Sequence, residues 1–188
     1  MNFNNFDKTK STLTYKGIIA QIYHRKFKTG TFEYVVLPDS VRVIAVTNEK
    51  KLILLQEKTF SLQEQYFSLP GGMVDAHEDS KKAALRELEE ETGYKAGDIK
   101  LWFSHNYSQT VMSRKYFYIA TDCNDSGQKN QSKNERIQVR KLNLKDFLKY
   151  ALKEEFKHIE LQNRFFKIQM YAREKKKFMK MIGLDSLE

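Results

Sequence analysis

The chain has 188 residues, of which 40% are hydrophobic and 13% aromatic, and it carries a formal net charge of +9. This length suits one substantial domain with appendages, and thirteen Phe and ten Tyr residues supply enough apolar surface to exclude wholesale disorder. A single cysteine, Cys123, excludes an intramolecular disulfide. No apolar run approaches the roughly 20 residues that span a bilayer, and the N-terminus lacks an apolar signal region. A cytoplasmic protein without a membrane partner is therefore expected.

The N-terminal part of the chain predicts β-structure. From Thr14 to Leu37 apolar and polar residues alternate, and residues 28–31 form a turn between IIAQIYHRKF and FEYVVL, which indicates a hairpin. After the break at Pro38, the segments VRVIAV and KLILLQE predict two further strands around a polar turn.

The rest of the chain alternates helix and strand before a helical C-terminus. A helix is predicted over residues 79–92, with Asp79 or Ser80 as N-cap and Gly93 at the C-cap. IKLWFSHNYS, KYFYIATDC and IQVRKL predict strands, with a polar loop at residues 124–134, and residues 144–182 have helical periodicity. These elements divide the chain into an N-terminal extension (1–38), a central domain (39–146) and a helical segment (147–188).

Three carboxylates share one face of the predicted helix. At about 100° per residue, Glu87, Glu90 and Glu91 fall within an arc of roughly 100°. Adjacent carboxylates repel unless a cation lies between them, and Mg²⁺ prefers such oxygen ligands. The acid cluster alone is equally typical of a solvated helix face, so the helix predicts a metal site only together with its surroundings.

The spacing of the surrounding residues matches a known signature. It comprises Gly72, Glu78, Arg86, Glu87, Leu88, Glu90, Glu91, Gly93 and Tyr94 in fixed register over residues 72–94. This segment resembles the box of the Nudix hydrolases without a departure. The resemblance implies an α/β (α+β) Nudix fold, in which a mixed β-sheet is sandwiched between helices, here with an N-terminal β-hairpin and a long C-terminal helix.

The resemblance also implies the roles of the box residues. Glu87 and Glu91, assisted by Glu90 and by the backbone carbonyl of Gly71, are expected to bind catalytic Mg²⁺, for which Mn²⁺ can substitute. Arg86 is expected to pair with Glu78 and orient the loop against the helix, and Glu89 to point away. The implied reaction is attack of water on a diphosphate.

Features outside the box resemble the ADP-ribose pyrophosphatase branch. The N-terminal strands of that branch build a homodimer, and a loop glutamate ahead of an I-x-V strand, matched here by Glu135, makes Glu135 the candidate general base. The predicted substrate is therefore a nucleotide sugar, cleaved to a nucleoside monophosphate and a sugar phosphate. Candidate substrate contacts are Lys58 and Arg114 for the diphosphate and Phe32 or Tyr34 for the base.

Other functions remain open at this stage. Thr110 stands where the branch commonly has a proline, and Leu-Pro-Gly-Gly replaces Leu-Pro-Ala-Gly, which leaves room for other nucleotide sugars or a nucleoside triphosphate. A basic C-terminal segment would suit an RNA-cap-directed enzyme, although the positive charges are dispersed and nucleic-acid binding is not favoured. A non-catalytic nucleotide-binding module is a further alternative, which the intact box glutamates disfavour.

Overall fold

The computed structural model describes residues 10–58, 65–127 and 136–184. Within these residues the chain forms eleven strands and four helices. The strands are β1 (Thr12–Lys16), β2 (Gln21–Phe27), β3 (Gly30–Val36), β4 (Ser40–Thr47), β5 (Leu52–Lys58), β6 (Gln65–Ser68), β7 (Tyr94–Lys95), β8 (Asp98–Asn106), β9 (Val111–Met112), β10 (Arg114–Asp125) and β11 (Arg136–Leu142). The helices are α1 (Ser80–Thr92), α2 (Leu144–Ala151), α3 (Ile159–Met170) and α4 (Ala172–Met181).

The strands of the described chain form two sheets. The larger has the order β11-β5-β4-β10-β7, with β6 beside β5 and β8 beside β10, and β4 runs parallel to β10 while the other pairs are antiparallel. The smaller has the order β1-β2-β3-β9, where β3 and β9 are parallel. The larger sheet is therefore mixed, as the sequence predicts.

Helices cover both faces of the larger sheet. On one face, Val43 and Ala45 of β4 belong to the same buried cluster as Ala84 and Leu88 of α1. On the other face, apolar residues of β4 and β5 pack with α2, α3 and α4 in a second cluster that includes Phe165. Because β4 is buried on both faces, its sequence is an apolar run and not an alternation. The predicted sheet between two helical layers is confirmed.

The C-terminal region differs from the single long helix that the sequence predicts. It consists of α2, α3 and α4, which are separated by residues 152–158 and by the extended residue Tyr171. In the first break, the Glu155 carbonyl accepts from the Phe67 N–H at 2.9 Å, and the Lys157 N–H donates to the Phe67 carbonyl at 2.9 Å. These backbone groups bond to β6 instead of to a helical turn, so the helix ends although the apolar periodicity continues.

The predicted N-terminal hairpin is present as β2 and β3, to which the chain adds β1 and the two-residue strand β9. Gly30 begins β3 with a φ of 140°, a conformation that favours glycine over other residues at this turn. The strands β6, β7 and β9 are too short to show a periodicity, so the sequence did not predict them. Within the described residues, no helix is long and apolar enough to cross a membrane.

Candidate active site

The loop before α1 is held along the edge of β4 by main-chain hydrogen bonds. Val43 N–H donates to the Pro70 carbonyl at 2.8 Å, Val41 N–H donates to the Gly72 carbonyl at 2.9 Å, and Val74 N–H donates to the Asp39 carbonyl at 2.8 Å. Gly71 has a φ of 146°, and a Cβ added there would collide with the Val41 carbonyl. Residue 71 must therefore be glycine for the loop to lie this close to β4.

Helix α1 begins and ends where the sequence predicts. The Asp79 side chain accepts hydrogen bonds from the N–H groups of Lys81 and Lys82, and Gly93 adopts the left-handed conformation with a φ of 77°. Its apolar side faces the sheet, which leaves the carboxylate side facing the Gly71–Gly72 loop. A Cβ added at Gly72 would collide with the Glu87 carboxylate, so the helix approaches the loop too closely for any larger residue there.

Arg86 links the acidic residues of the loop and the helix. Its Nε and Nη2 donate to the two carboxylate oxygens of Glu78 at 3.2 and 3.0 Å, and its Nη1 donates to Glu87 at 2.8 Å and to Glu90 at 3.1 Å. Nη2 also donates to the Met73 carbonyl at 3.1 Å. These contacts match the five N–H groups of a guanidinium. The hydrogen bond from Arg86 also holds the pKa of Glu78 below its usual range.

Burial perturbs the two glutamates nearest the loop. Desolvation raises the pKa of Glu91 to about 8, although the Gly71 N–H donates to its carboxylate at 2.8 Å, and the neighbouring Glu57 raises the pKa further. Desolvation also raises the pKa of Glu87, against the opposing effect of Arg86. The ionised forms of both groups are thus costly unless a cation is added. Two adjacent carboxyl groups with this property are typical of a cation-binding site.

The donor set fits a divalent metal. The carbonyls of Pro70 and Gly72 bond to β4, whereas the Gly71 N–H turns toward α1, and the Gly71 carbonyl accepts no hydrogen bond among the described residues. Its oxygen thus remains available to a metal ion. In the described ranges, no three His, Cys, Asp or Glu side chains are already grouped closely enough to bind a metal ion. Glu87 and Glu90 accept hydrogen bonds from Arg86 instead, and Glu91 accepts one from the Gly71 N–H.

The glutamates line a cavity of about 500 Å³, a size suited to a small-molecule ligand. The other lining residues come from β4, from the Gly71–Gly72 loop and from segments near the ends of other strands, and they include apolar, aromatic and cationic side chains. The lining residues are Ile19, Leu37, Pro38, Ser40, Arg42, Gly71, Gly72, Met73, Glu87, Glu90, Glu91, Tyr107, Ser113 and Ile137. Glu89 does not line the cavity and instead pairs with Lys95 at 3.1 Å.

Residues 36–162 match the model of the NUDIX domain family, which is more than half of the chain. The chain belongs to the Nudix family. A "Methanol dehydrogenase activator" of Bacillus methanolicus is 38% identical over 73 residues, which cover 39% of this chain and 40% of that protein. An "ADP-ribose pyrophosphatase" of Bacillus subtilis (strain 168) is 29% identical over 127 residues, which cover 65% of this chain and 67% of that protein. The chain thus spans less than half of the first relative.

A solved structure of an "ADP compounds hydrolase" has the same fold. It superposes with a TM-score of 0.63 at 16% identity and covers 88% of this chain and 92% of that one. The predicted Nudix fold is confirmed, as is the resemblance to the ADP-ribose pyrophosphatase branch. The match to the Bacillus subtilis protein also supports the predicted class of Nudix pyrophosphatase.

The structure brings some predicted residues of this Nudix protein together and leaves others apart. Glu87, Glu90, Glu91 and Gly71 meet at the cavity, and Arg86 pairs with Glu78 behind them. The proposed substrate contacts do not line it. Those residues are Lys58 at the exposed end of β5, Arg114 in a smaller hollow beside Asn106, Phe32 against Phe27, and Tyr34 on β3. Glu135 lies outside the described residues.

Three residues around the site of this Nudix protein were not singled out from the sequence. Arg42 is the one charged residue in the apolar run VRVIAV, and that interruption was the available signal. Tyr107 lines the cavity beyond the end of β8, and nothing in its local pattern marks it. Glu57 follows the apolar stretch of β5, and its carboxylate accepts hydrogen bonds from Tyr66, at 2.7 Å, and from Ser68.

Proposed function

We propose that this Nudix protein hydrolyses the diphosphate linkage of a nucleotide sugar such as ADP-ribose, with Mg²⁺ or Mn²⁺, to a nucleoside monophosphate and a sugar phosphate. The observation that carries the proposal is the single cavity in which Glu87, Glu90 and Glu91 lie beside the Gly71–Gly72 loop and face apolar and cationic side chains. A diphosphate with its metal ions suits the acidic side, and a nucleoside suits the apolar side.

The residues of the box have separable roles in this proposal. Glu87, Glu91, Glu90 and the Gly71 carbonyl would hold the metal, which when bound lowers the pKa of water and neutralises charge on the phosphates. Arg86 orients Glu87 and Glu90, since it donates to both, and Glu78 fixes Arg86 through a bidentate pair.

The remaining steps depend on residues of other segments. Tyr107 is about half exposed in the cavity, and we assign its ring, instead of Phe32 or Tyr34, as the surface on which the base or ribose packs. Glu135 remains our candidate for the general base, on its position in the sequence ahead of β11.

A substrate panel tests the proposed function. With Mg²⁺ present, ADP-ribose and other nucleotide sugars are expected to yield a nucleoside monophosphate and a sugar phosphate faster than nucleoside triphosphates yield pyrophosphate. The products are separated by chromatography. Faster turnover of a triphosphate, or release of a nucleotide from capped RNA, would contradict the nucleotide-sugar assignment and favour a sanitising or cap-directed enzyme. No turnover of any of these compounds would contradict the enzymatic function.

We further propose a homodimer formed through the smaller sheet. Every residue of β1 is exposed, and Leu13, Tyr15 and Phe32 of this sheet leave large apolar surfaces in solvent, as does Ile18 in the adjoining turn. Such a set of exposed apolar side chains is typical of a protein interface. Ile19 also lines the cavity, so this segment is continuous with the active site.

The dimer is tested by charge introduced on β1. The double variant Leu13→Lys/Tyr15→Lys is expected to elute as a monomer in size-exclusion chromatography with light scattering, while the wild-type chain elutes as a dimer, because lysines at an apolar interface must lose their hydration. The control is Lys16→Glu, which changes the charge of the same exposed strand without replacing an apolar residue. A wild-type monomer at micromolar concentration would contradict the dimer.

A further inference from the structure

Arg42 lines the same cavity as the box glutamates. It is the half-buried residue of β4, whose other seven residues are buried. Its Nη1 donates to the Val41 carbonyl at 2.6 Å, and this same carbonyl lies directly against Gly71. The guanidinium therefore lies in the corner of the cavity beside the loop that is proposed to hold the metal.

Most N–H donors of the Arg42 guanidinium make no hydrogen bond to the described residues. In the described part of the chain, its one side-chain hydrogen bond is to the Val41 carbonyl, and no carboxylate lies within ion-pair distance of it. A guanidinium has five N–H donors, so four remain for a ligand. An arginine held half-buried in a cavity without an acidic partner is costly, and an anionic ligand would offset that cost.

Other cations near the cavity already have partners. The N–H groups of Arg86 donate hydrogen bonds to Glu78, Glu87, Glu90 and the Met73 carbonyl. Lys115 is buried and pairs with Glu160 at 2.6 Å. Among the described residues that line the cavity, Arg42 is therefore the cation whose N–H donors remain available to an incoming anion.

Ser40 supplies a second polar group beside Arg42. Residues two apart on a strand point to the same face, and Ser40 and Arg42 both line the cavity. The Ser40 hydroxyl is buried and has no hydrogen-bond partner among the described residues. Buried hydroxyl groups in native proteins normally have a partner, so its isolation points to a polar ligand.

We infer that Arg42, assisted by Ser40, binds the diphosphate of the substrate in the cavity that the box glutamates also line. The inference rests on the proposed function, since it assigns the phosphate-binding residue of that same cavity. The planar guanidinium binds two phosphate oxygens at once, a geometry that lysine cannot reproduce. Arg42 thereby selects anionic substrates and holds the diphosphate in the cavity beside the Gly71–Gly72 loop.

The test compares Arg42→Met and Arg42→Lys with the wild-type chain, using Arg173→Met as a control that removes the same charge from an exposed position on α4. Calorimetry measures the binding of ADP in the presence of Mg²⁺, and in separate titrations the binding of Mg²⁺ alone. Arg42→Met is expected to weaken ADP binding by roughly tenfold or more, because the charge-assisted contact with phosphate is lost. Arg42→Lys is expected to weaken it by less, because lysine keeps the charge but not the two-point contact. Arg173→Met is expected to bind ADP as the wild-type chain does.

The Mg²⁺ titration separates ligand binding from an indirect effect on the glutamates. Because Arg42 lies near Glu87 and Glu91, its removal is expected to leave Mg²⁺ affinity equal or higher while ADP affinity falls. Wild-type ADP affinity in Arg42→Met, or no ADP binding by the wild-type chain at millimolar concentration, would overturn the inference. If Arg42→Met does not fold, as judged by its thermal transition, Arg42→Lys carries the same comparison. Binding of ADP through Arg42 without turnover of any panel substrate would instead refute the proposed function alone.

Discussion

Replacing Glu87 or Glu91 with Gln is expected to lower kcat/KM by at least about 10³-fold, equivalent to about 4 kcal/mol of transition-state stabilisation. Glutamine keeps the shape of the side chain, and at position 91 its amide oxygen can still accept from the Gly71 N–H, so the fold should be retained. It lacks the negative charge that a divalent ion requires. Steady-state rates at saturating Mg²⁺, with circular dichroism of each variant, measure the two effects separately.

Glu89→Gln is the matched control for these variants. Glu89 is on the same helix but outside the cavity, where it pairs with Lys95, so its variant should keep activity within about threefold, as for an exposed ion pair. Mg²⁺ should also raise the melting temperature of the wild-type chain and of Glu89→Gln, but less for Glu87→Gln and Glu91→Gln, since a ligand stabilises the state that binds it. Equal losses of activity in all three variants, or full activity in a chelator, would contradict the metal assignment.

Arg86→Lys is expected to lower kcat/KM by roughly 10–100-fold and the free energy of unfolding by roughly 2 kcal/mol. Lysine keeps the charge but has three donors on one nitrogen, whereas the guanidinium donates to Glu78, Glu87, Glu90 and the Met73 carbonyl at once. The stability loss is smaller than for a fully buried pair, because the Arg86 side chain is 29% exposed. Urea unfolding and steady-state kinetics provide the two measurements.

A double-mutant cycle with Glu78→Gln tests whether Arg86 and Glu78 act as a unit. The effects of Arg86→Lys and Glu78→Gln on unfolding should be markedly non-additive, since each variant breaks the same bidentate pair. Arg173→Lys, at an exposed position of α4, should change neither stability nor rate. Additive losses in the cycle would show that Glu78 does not hold Arg86 in place.

The sequence predicted the part of the site that lies within one continuous segment. The spacing of the glutamates on α1 follows from helical geometry, and Asp79 and Gly93 mark the ends of the helix by local backbone chemistry. These features need no knowledge of distant contacts. The pairing of Arg86 with Glu78 was implied by the resemblance to the Nudix box, and the structure shows it as two hydrogen bonds.

The cavity residues outside the helix could not be predicted in this way, because they come from segments far apart in the chain. Tyr107 and Arg42 meet the glutamates only after β4, β8 and β10 pair in one sheet. Lys58 and Arg114 were chosen by charge and position in the sequence, yet the described cavity does not include them. Similarly, the break between α2 and α3 depends on pairing with Phe67, roughly 90 residues earlier, which periodicity does not reveal.

The connection between α2 and α3 has a consequence for the cooperativity of the molecule. Residues 155–157 pair with Phe67, and the buried His158 accepts from the Leu69 N–H at 3.2 Å, immediately before the loop that carries Gly71. The C-terminal helices cannot detach from the sheet without freeing the chain that leads into this loop. The two regions therefore belong to one unit of local unfolding, and a ligand that tightens the cavity slows amide exchange in helices on the far side of the sheet.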